Sequence, residues 1–426
     1  MKATPRVVIV GGGFAGLETA FTLRGHLGQR VELVLVADRH DFLFKPNTIY
    51  IPFGGEEAKL RIPLELPAGR RGIELVAGSL SRVDTDDKRI ELVDGTRVDY
   101  DYLVLATGSA MRPEEIPGLA EHAQGIWTTE QMRSLGASLD EVLTAARQGA
   151  QRHVLFLVPP GNKCAGPLYE IAFMLETWLR RHHVRDRVCI TFATFESTYV
   201  QAFGSGLDHV VSEEFAHRGL NGYTEAVATR VEPDRVAFAD GTVHTYDLLV
   251  SFAPYVAAAD FPNLPTDERG FLLTDMLTRR VEGVRDVYAP GDAGDFPVKQ
   301  AFLAFLQADA VADDIASRVD PAAVPNPRRF DPVSMCVMEM FDKATFAQVP
   351  LEPTGDPAHP VRVRDDAADD YLVGVSPIWR LGKKALGIYL PQQFRAGRPF
   401  HGGIPWQTME LGLKGMSKTL AESIRG

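Results

Sequence analysis

The sequence predicts an α/β protein: two Rossmann-like dinucleotide-binding domains, the second degenerate and inserted in the first, followed by a separate C-terminal region. Three observations carry this. Gly11-Gly12-Gly13-Phe14-Ala15-Gly16 is a GxGxxG turn between an apolar strand and a helical stretch. A strand–loop–helix–strand pattern starts again at His153, and the hairpin that closes the first copy recurs in the second. Val287–Asp292, VYAPGD, then reads as a return to the first copy.

The elements follow in order. Arg6–Val10 reads as a buried strand, Gly11–Gly16 as a loop, Phe14 to about Leu27 as a helix and Val31–Val36 as a second strand. Within Arg89–Gly108, Asp94-Gly95 is a hairpin signal and Tyr102–Ala106 a buried strand. His153–Val158 opens the second copy, with a helix near Tyr169–Arg180 and a strand at Val188–Ala193. Asp240-Gly241-Thr242 then matches Asp94-Gly95-Thr96, and Tyr246-Asp247 matches Tyr100-Asp101. Pro297 to about Ile315 reads as the next helix. Neither copy continues beyond about Pro327. The first dinucleotide-binding domain is therefore expected at residues 1–115 and 255–327, the second at 116–254 and the C-terminal domain at 328–426.

A chain of 426 residues is too long for one hydrophobic core. Its 45% hydrophobic and 24% charged residues are those of a globular protein. No apolar run is long enough to span a bilayer, and no leader is read before the first strand. The cytosol or the cytoplasmic side of a membrane is the expected location. A net charge of −11 argues against nucleic acid as a partner. From Tyr371 onward, however, eight lysines and arginines face two acids.

The glycine turn has a mechanism. Gly11 makes the tight turn, Gly13 lets backbone approach a pyrophosphate, and Gly16 lets the helix pack on the strand. The helix N-terminus attracts phosphate, and Asp38, just after the second strand, would accept from a ribose hydroxyl. The second copy reads Val158-Pro159-Pro160-Gly161-Asn162-Lys163-Cys164 at the same place. Proline has no N–H and a fixed φ, so weak or absent NAD(P)H binding is expected there.

Ala106-Thr107-Gly108 and Ala289-Pro290-Gly291-Asp292 each end a buried strand. With the glycine turn, they make the chain resemble the two-dinucleotide-binding flavoproteins. That resemblance implies FAD, bound by Gly11, Gly13, Phe14, Ala15, Gly16 and Asp38. Ala106, Thr107, Gly108 and Gly291 would flank it, and Asp292 would hold the ribityl chain. Phe44-Lys45-Pro46 resembles the segment that edges the flavin in membrane-associated members, though Pro46 also reads as a plain turn residue. Lys299, read just inside the helix after Asp292, is a contact for flavin or quinone, or else a solvated lysine.

There are three cysteines, and none has CxxC spacing. No metal site is read. Cys189, inside VCITFAT, reads as a core thiol. Cys164 follows Lys163 near a helix start, and both features favour thiolate. Cys336 lies in MCVMEMFDKATF. Buried thiols used as small hydrophobes are the plain alternative for both. Cys164-Ala165-Gly166-Pro167-Leu168-Tyr169-Glu170 resembles the Cys-x-Gly-Pro-x-Tyr-Glu motif of the sulfide:quinone oxidoreductases and of the flavoprotein subunit of flavocytochrome c sulfide dehydrogenase. The resemblance implies a Cys164–Cys336 redox pair, sulfide or a small thiol as donor, and quinone as acceptor. Glu170 is then an acid/base near the flavin, or a surface or capping carboxylate. Where many of those enzymes carry another cysteine, this chain has Trp127.

Trp406, Met409, Leu413, Met416, Leu420 and Ile424 recur at spacings of three and four, one apolar helix face among basic residues. Such a helix suits a membrane interface, or packing on the body or a partner. The leading expectation is a monotopic, membrane-surface flavin oxidoreductase, with self-association open. A type II NADH:quinone oxidoreductase, a flavin subunit serving a cytochrome, and a flavin-binding sensor without turnover are the alternatives.

Overall fold

The structure is a computed structural model that describes residues 4–400 (the side chains of Ala368 and Asp369 excepted), Trp406, Gly412 and the backbone of Glu422–Ser423. Unbroken apolar runs rich in β-branched residues suit parallel strands covered on both faces. RVVIV and ELVLVA are such runs. They form β1 (Arg6–Val10) and β2 (Glu32–Ala37), paired parallel and joined by helix α1 (Phe14–Leu27). β3 (Glu74–Ala77) adds to β2, and β4 (Tyr102–Leu105) adds to β1.

The second copy supplies β5 (Gln124–Gly125), α2 (Thr129–Arg147), β6 (Arg152–Val158), α3 (Gly166–Arg181), β7 (Val188–Thr194), α4 (Gly204–Arg218), β8 (Asn221–Tyr223) and β9 (Leu248–Ser251). Its parallel sheet runs β8-β7-β6-β9-β5. The chain then returns through β10 (Val287–Tyr288), which completes the first sheet as β3-β2-β1-β4-β10. Helix α5 (Ala301–Val319) packs along α1. A third, antiparallel sheet follows: β11 (Val333–Glu339), β12 (Ala344–Pro353), β13 (Val361–Val363) and β14 (Leu372–Ser376), and after it helix α6 (Pro377–Arg395). β11 lies against α3, and Met338, Val349 and Phe173 share one core.

The duplication extends to single hydrogen bonds. Asp101 accepts from the Arg6 N–H at 2.7 Å, and Asp247 accepts from the His153 N–H at 2.7 Å. Thr96 N–H donates to Asp94 at 2.9 Å, and Thr242 N–H to Asp240 at 2.9 Å. Gly95 and Gly241 hold φ of +84° and +87°, which the hairpin turn requires. The repeated Asp-Gly-Thr and Tyr-Asp pairs thus hold each copy's hairpin against its first strand.

Three expectations are corrected. The helix read from Pro297 begins at Ala301, because Gln300 stays extended. Its side chain accepts from Ser334 Oγ at 2.8 Å and donates to the Met335 carbonyl at 3.0 Å. Lys299 therefore precedes the helix. Cys189 is exposed, not core. It points to the opposite face of β7 from Val188, Ile190 and Phe192, and β8 pairs with β7 only from Thr191 onward. Of the apolar tail face, Met409, Leu413, Met416, Leu420 and Ile424 lie outside the described residues. Trp406 is buried on the body, its ring 4.1 Å from that of Phe400. Glu422–Ser423 forms β15, paired with β14, so no helix runs through it.

Arg218 ties the second copy to the third sheet. Its buried guanidinium meets Glu176 at 2.7 Å, Glu214 at 2.9 Å and Asp342 at 2.8 Å. Breaking a buried charge cluster at one partner costs about 3–5 kcal/mol, because the remaining charges stay desolvated. Arg218→Ala is expected to lower stability by about that amount, seen as a lower denaturant midpoint with the slope unchanged.

Candidate active site

One cavity of about 930 Å³ gathers most of the residues read from the sequence. Its floor is the glycine turn between β1 and α1. Gly11 has φ +117°, and an added Cβ would stand 2.2 Å from the Ala106 carbonyl oxygen. A Cβ on Gly16 would stand 1.9 Å from the Gly11 oxygen, so α1 can reach β1 only with glycine there. A Cβ on Gly13 would meet nothing within 4 Å, so backbone lies open to the cavity. No side chain caps α1 at Gly13, which leaves its first N–H groups for an anion.

Asp38, Phe14, Ala15, Ala106, Thr107 and Gly108 line the same cavity. The Phe14 ring packs among Phe42, Phe305 and Phe394, with the Phe42 ring centre at 4.9 Å. Thr107 Oγ1 is buried there without a hydrogen-bond partner among the described residues. Gly291, with φ +74°, leads into Asp292, which accepts from Ser109 Oγ at 3.1 Å. An open backbone cradle, an unpaired hydroxyl and a ribose-side acid on one wall fit a flavin cofactor.

Two amines reach this space. Lys45 Nζ sits 2.9 Å from the centre of the Trp127 ring. Burial, with Arg39 adding to it, lowers its pKa to about 7 against the opposing pull of Asp292. Trp127 therefore occupies the wall as a cation-holding ring, beside Phe252 and Tyr255 at 5.9 and 5.7 Å. Pro46 lines the cavity at the start of the short helix Lys45–Phe53. Lys299 is buried, not solvated. Its amine donates to the Gly294 carbonyl and lies 3.7 Å from the Phe271 ring centre. Burial lowers it to about 7, and Asp292 opposes that shift.

The second copy's turn is closed on itself. Asn162 Nδ2 donates to the Phe252 carbonyl at 2.7 Å, and Asn162 Oδ1 accepts from the Cys164 N–H at 2.9 Å. Cys164 and Cys336 both line the cavity, and neither forms a disulfide. The expectation of a thiolate at Cys164 is corrected. Burial pushes its thiol well up, and Cys336 and Asp292 push the same way. Lys163 does not counter this, because its amine turns toward Phe271 and Asp267. Burial and then Glu170 raise Cys336 to about 12, with Lys383 opposing.

Glu170 is neither a surface nor a capping residue. It is buried, accepts from the Glu339 N–H at 2.8 Å and forms an ion pair with Lys383. Burial raises its pKa, and Lys383 restrains the rise. Lys383 also donates to the Val337 carbonyl at 2.9 Å. Behind it, Glu339 accepts from Tyr50 at 2.7 Å and from Arg380 at 2.8 Å. Sequence reasoning missed Lys383, Glu339 and Ser109. Only Ser109 had a local signal, as the residue after Ala106-Thr107-Gly108.

Residues 5–151 match the pyridine nucleotide-disulphide oxidoreductase family. A sulfide-quinone reductase of Aquifex aeolicus is 29% identical over 61% of this chain and 59% of its own length. A mitochondrial sulfide:quinone oxidoreductase of Dictyostelium discoideum is 23% identical over 82% of this chain and 78% of its own. The solved Aquifex aeolicus sulfide:quinone oxidoreductase superposes with a TM-score of 0.82, 21% identity and 96% coverage of both chains. Fold and site define the class first: a two-dinucleotide-fold oxidoreductase with a flavin cavity and a cysteine pair in its wall. Within that class, the chain is similar to sulfide-quinone reductases, and it spans about 59% of the length of the Aquifex aeolicus one.

The raised thiols give a measurable contrast. Cys336 at about 12 holds roughly 10³-fold less thiolate at neutral pH than an ordinary thiol. After reduction, iodoacetamide is expected to label the exposed Cys189 far faster than Cys164 or Cys336. Labelling of the half-buried pair should rise about tenfold per pH unit above neutrality, followed by peptide mass spectrometry.

Proposed function

We propose that the protein is an FAD-dependent oxidoreductase of membrane surfaces that takes electrons from sulfide, or a related small thiol, and delivers them to quinone. One observation carries this: Cys164 and Cys336 share a cavity with the open glycine cradle, while the second nucleotide turn is closed. Gly11, Gly13 and Gly16 shape the pyrophosphate seat, Asp38 takes a ribose hydroxyl, and Thr107 and Asp292 hold the rest of the cofactor. FAD supplies a two-electron acceptor when bound. In the oxidised pair, hydrosulfide attacks one sulfur of the Cys164–Cys336 bond. That bond breaks, a persulfide forms on one cysteine, and the other leaves as thiolate. Glu170 and Lys383 move the protons that accompany this exchange, and Lys299 sets a cation beside the site.

Helix α6 takes over the membrane role first read for the tail. Ile378, Leu381 and Ile388 are exposed by 42%, 65% and 62%, and they follow one another at helical spacing. Exposed Ala385 falls on the same stripe, with Lys384 exposed beside it. Leu386, Gly387 and Leu390 of the same helix line the cavity. An apolar stripe beside lysine suits anionic lipid, and the inner residues give a lipid-soluble quinone its contact.

Sulfide is expected to bleach the bound flavin anaerobically at least about 100-fold faster than NADH. Cys164→Ser should cost about 10³-fold or more in that step, and Asp292→Ala should lower flavin retention. Rapid bleaching by NADH and none by sulfide would transfer the assignment to the NADH-dependent class. Leu381→Glu with Ile388→Glu removes two side chains worth about 1.5–3 kcal/mol each when buried. That variant should bind anionic vesicles about 100-fold less well and keep sulfide-driven bleaching. Unchanged vesicle binding would remove the α6 docking face.

A further inference from the structure

The cavity has an arm that the exchange at Cys164 does not explain. One wall is the turn after β7, Phe195–Phe203, and the other is the loop from Pro357 into β13. Glu196 lines this arm. Its carboxylate accepts from Thr194 Oγ1 at 2.9 Å and from the Gln201 N–H at 3.1 Å. The Gln201 side chain then spans the two walls. Its Oε1 accepts from the Ser197 N–H and Oγ, both at 3.0 Å, and its Nε2 donates to the Ala358 carbonyl at 2.9 Å.

The turn is also strained. Val200 holds φ +51°, a left-handed conformation that a β-branched residue rarely adopts. Such strain costs about 1–3 kcal/mol and persists only where neighbours enforce it. Here the enforcing group is Tyr169, whose hydroxyl accepts from the Val200 N–H at 3.3 Å. Tyr169 stands on α3, the helix that begins just after Cys164. The arm, its latch and the cysteine are thus joined through one helix.

We propose that this arm is the passage by which the water-soluble sulfur substrate reaches Cys164, with Gln201 as its latch and Glu196 as the residue that favours uncharged sulfur species over anions. This rests on the reading of the protein as a sulfide or thiol oxidase. Phe195, Val200, Phe203, Pro357 and Pro360 give the passage apolar walls, which a neutral hydrogen sulfide or thiol crosses at little cost. An anion there loses hydration and meets the Glu196 carboxylate. The Glu196 carboxylate is held by Thr194 and the Gln201 N–H and acts on Tyr169, and no cation is among these partners. Burial raises Glu196 to about 7, so its repulsion is present at pH 8 and is lost as pH falls below neutrality. The arm takes no residue from α6, so the soluble substrate and the lipid-soluble acceptor enter over different elements.

The test uses the reduced, flavin-containing full-length protein at pH 8, with iodoacetamide as neutral probe and iodoacetate as anionic probe. Both react with the same thiolate, so the raised thiol cancels in their ratio. The exposed Cys189 is the reference within the same chain. Cys164 is expected to disfavour iodoacetate, relative to Cys189, by about tenfold, equivalent to about 1.4 kcal/mol of added repulsion. Glu196→Gln should bring the Cys164 ratio most of the way to that of Cys189, although Asp292 remains near the thiol. Gln201→Ala should speed both probes at Cys164 severalfold and leave Cys189 unchanged. Equal ratios at the two cysteines in the unaltered protein, or no effect of either substitution, would overturn the proposal. Faster labelling on Leu386→Ala but not on Gln201→Ala would move the passage to the α6 side. Because alkylation needs no sulfide, a failure here is distinct from a failure of sulfide to bleach the flavin.

Discussion

The site depends on the buried carboxylate of Glu170. A carboxylate taken out of water costs several kcal/mol unless it is paired and hydrogen-bonded. Glu170 is on α3, six residues after Cys164, and its partners come from other parts of the chain. The Glu339 N–H belongs to β11 and the Lys383 amine to α6. Satisfying that one charge therefore draws the third sheet and its following helix onto the second copy. Cys336 lies three residues before Glu339 on the same strand, so the pairing that neutralises Glu170 also brings the second thiol to the cavity. Arg218, buried among Glu176, Glu214 and Asp342, fastens the same interface from the far side of α3.

The two copies show how one scaffold came to hold different chemistry. Their hairpins keep the same hydrogen bonds at the same distances, which preserves the placement of each first strand. Their first turns do not correspond. In the first, backbone is left open at Gly13 and α1 is uncapped. In the second, Pro159 and Pro160 remove donors, and Asn162 uses its side-chain amide to tie the turn to Phe252 and Cys164. The two prolines offer no N–H, and the Asn162 and Cys164 N–H groups are already engaged, by the Pro159 carbonyl and Asn162 Oδ1. What the turn presents to the cavity is a thiol. Function has changed where loops meet the ends of a rigid sheet, which is where loop chemistry is free to vary.

This division also explains what the sequence made legible. The glycine turn, the Asp-Gly hairpins and the Cys164–Glu170 motif are local patterns, and their elements stand where those patterns put them. The start of α5 was misread because Gln300 is held extended by Ser334 and Met335, more than thirty residues away. Cys189 was misread because an apolar strand does not reveal where its cover ends. Lys383 carried no signal at all, since its role exists only through Glu170, 213 residues earlier. The direction of the Cys164 thiol failed for a related reason. Adjacency to Lys163 says nothing of where that amine turns, and burial outweighs it.

The cavity's charges form a mutually dependent set. Burial disfavours the thiolates of Cys164 and Cys336, and by the same means it brings Lys45 and Lys299 down to about 7. Each group is uncomfortable as an isolated ion in a poorly solvated space. In the proposed exchange, a thiolate released from the sulfur pair is stabilised most by a cation in that same space, and a half-protonated amine is stabilised most by a new anion. Asp292, which acts on Lys45, Lys299 and Cys164 alike, favours the protonated form of all three. In the proposed exchange, the thiolate released would meet two amines that burial has brought near neutrality. A solvated lysine at position 45 or 299 would stay charged at neutral pH and would offer the proposed exchange no such response.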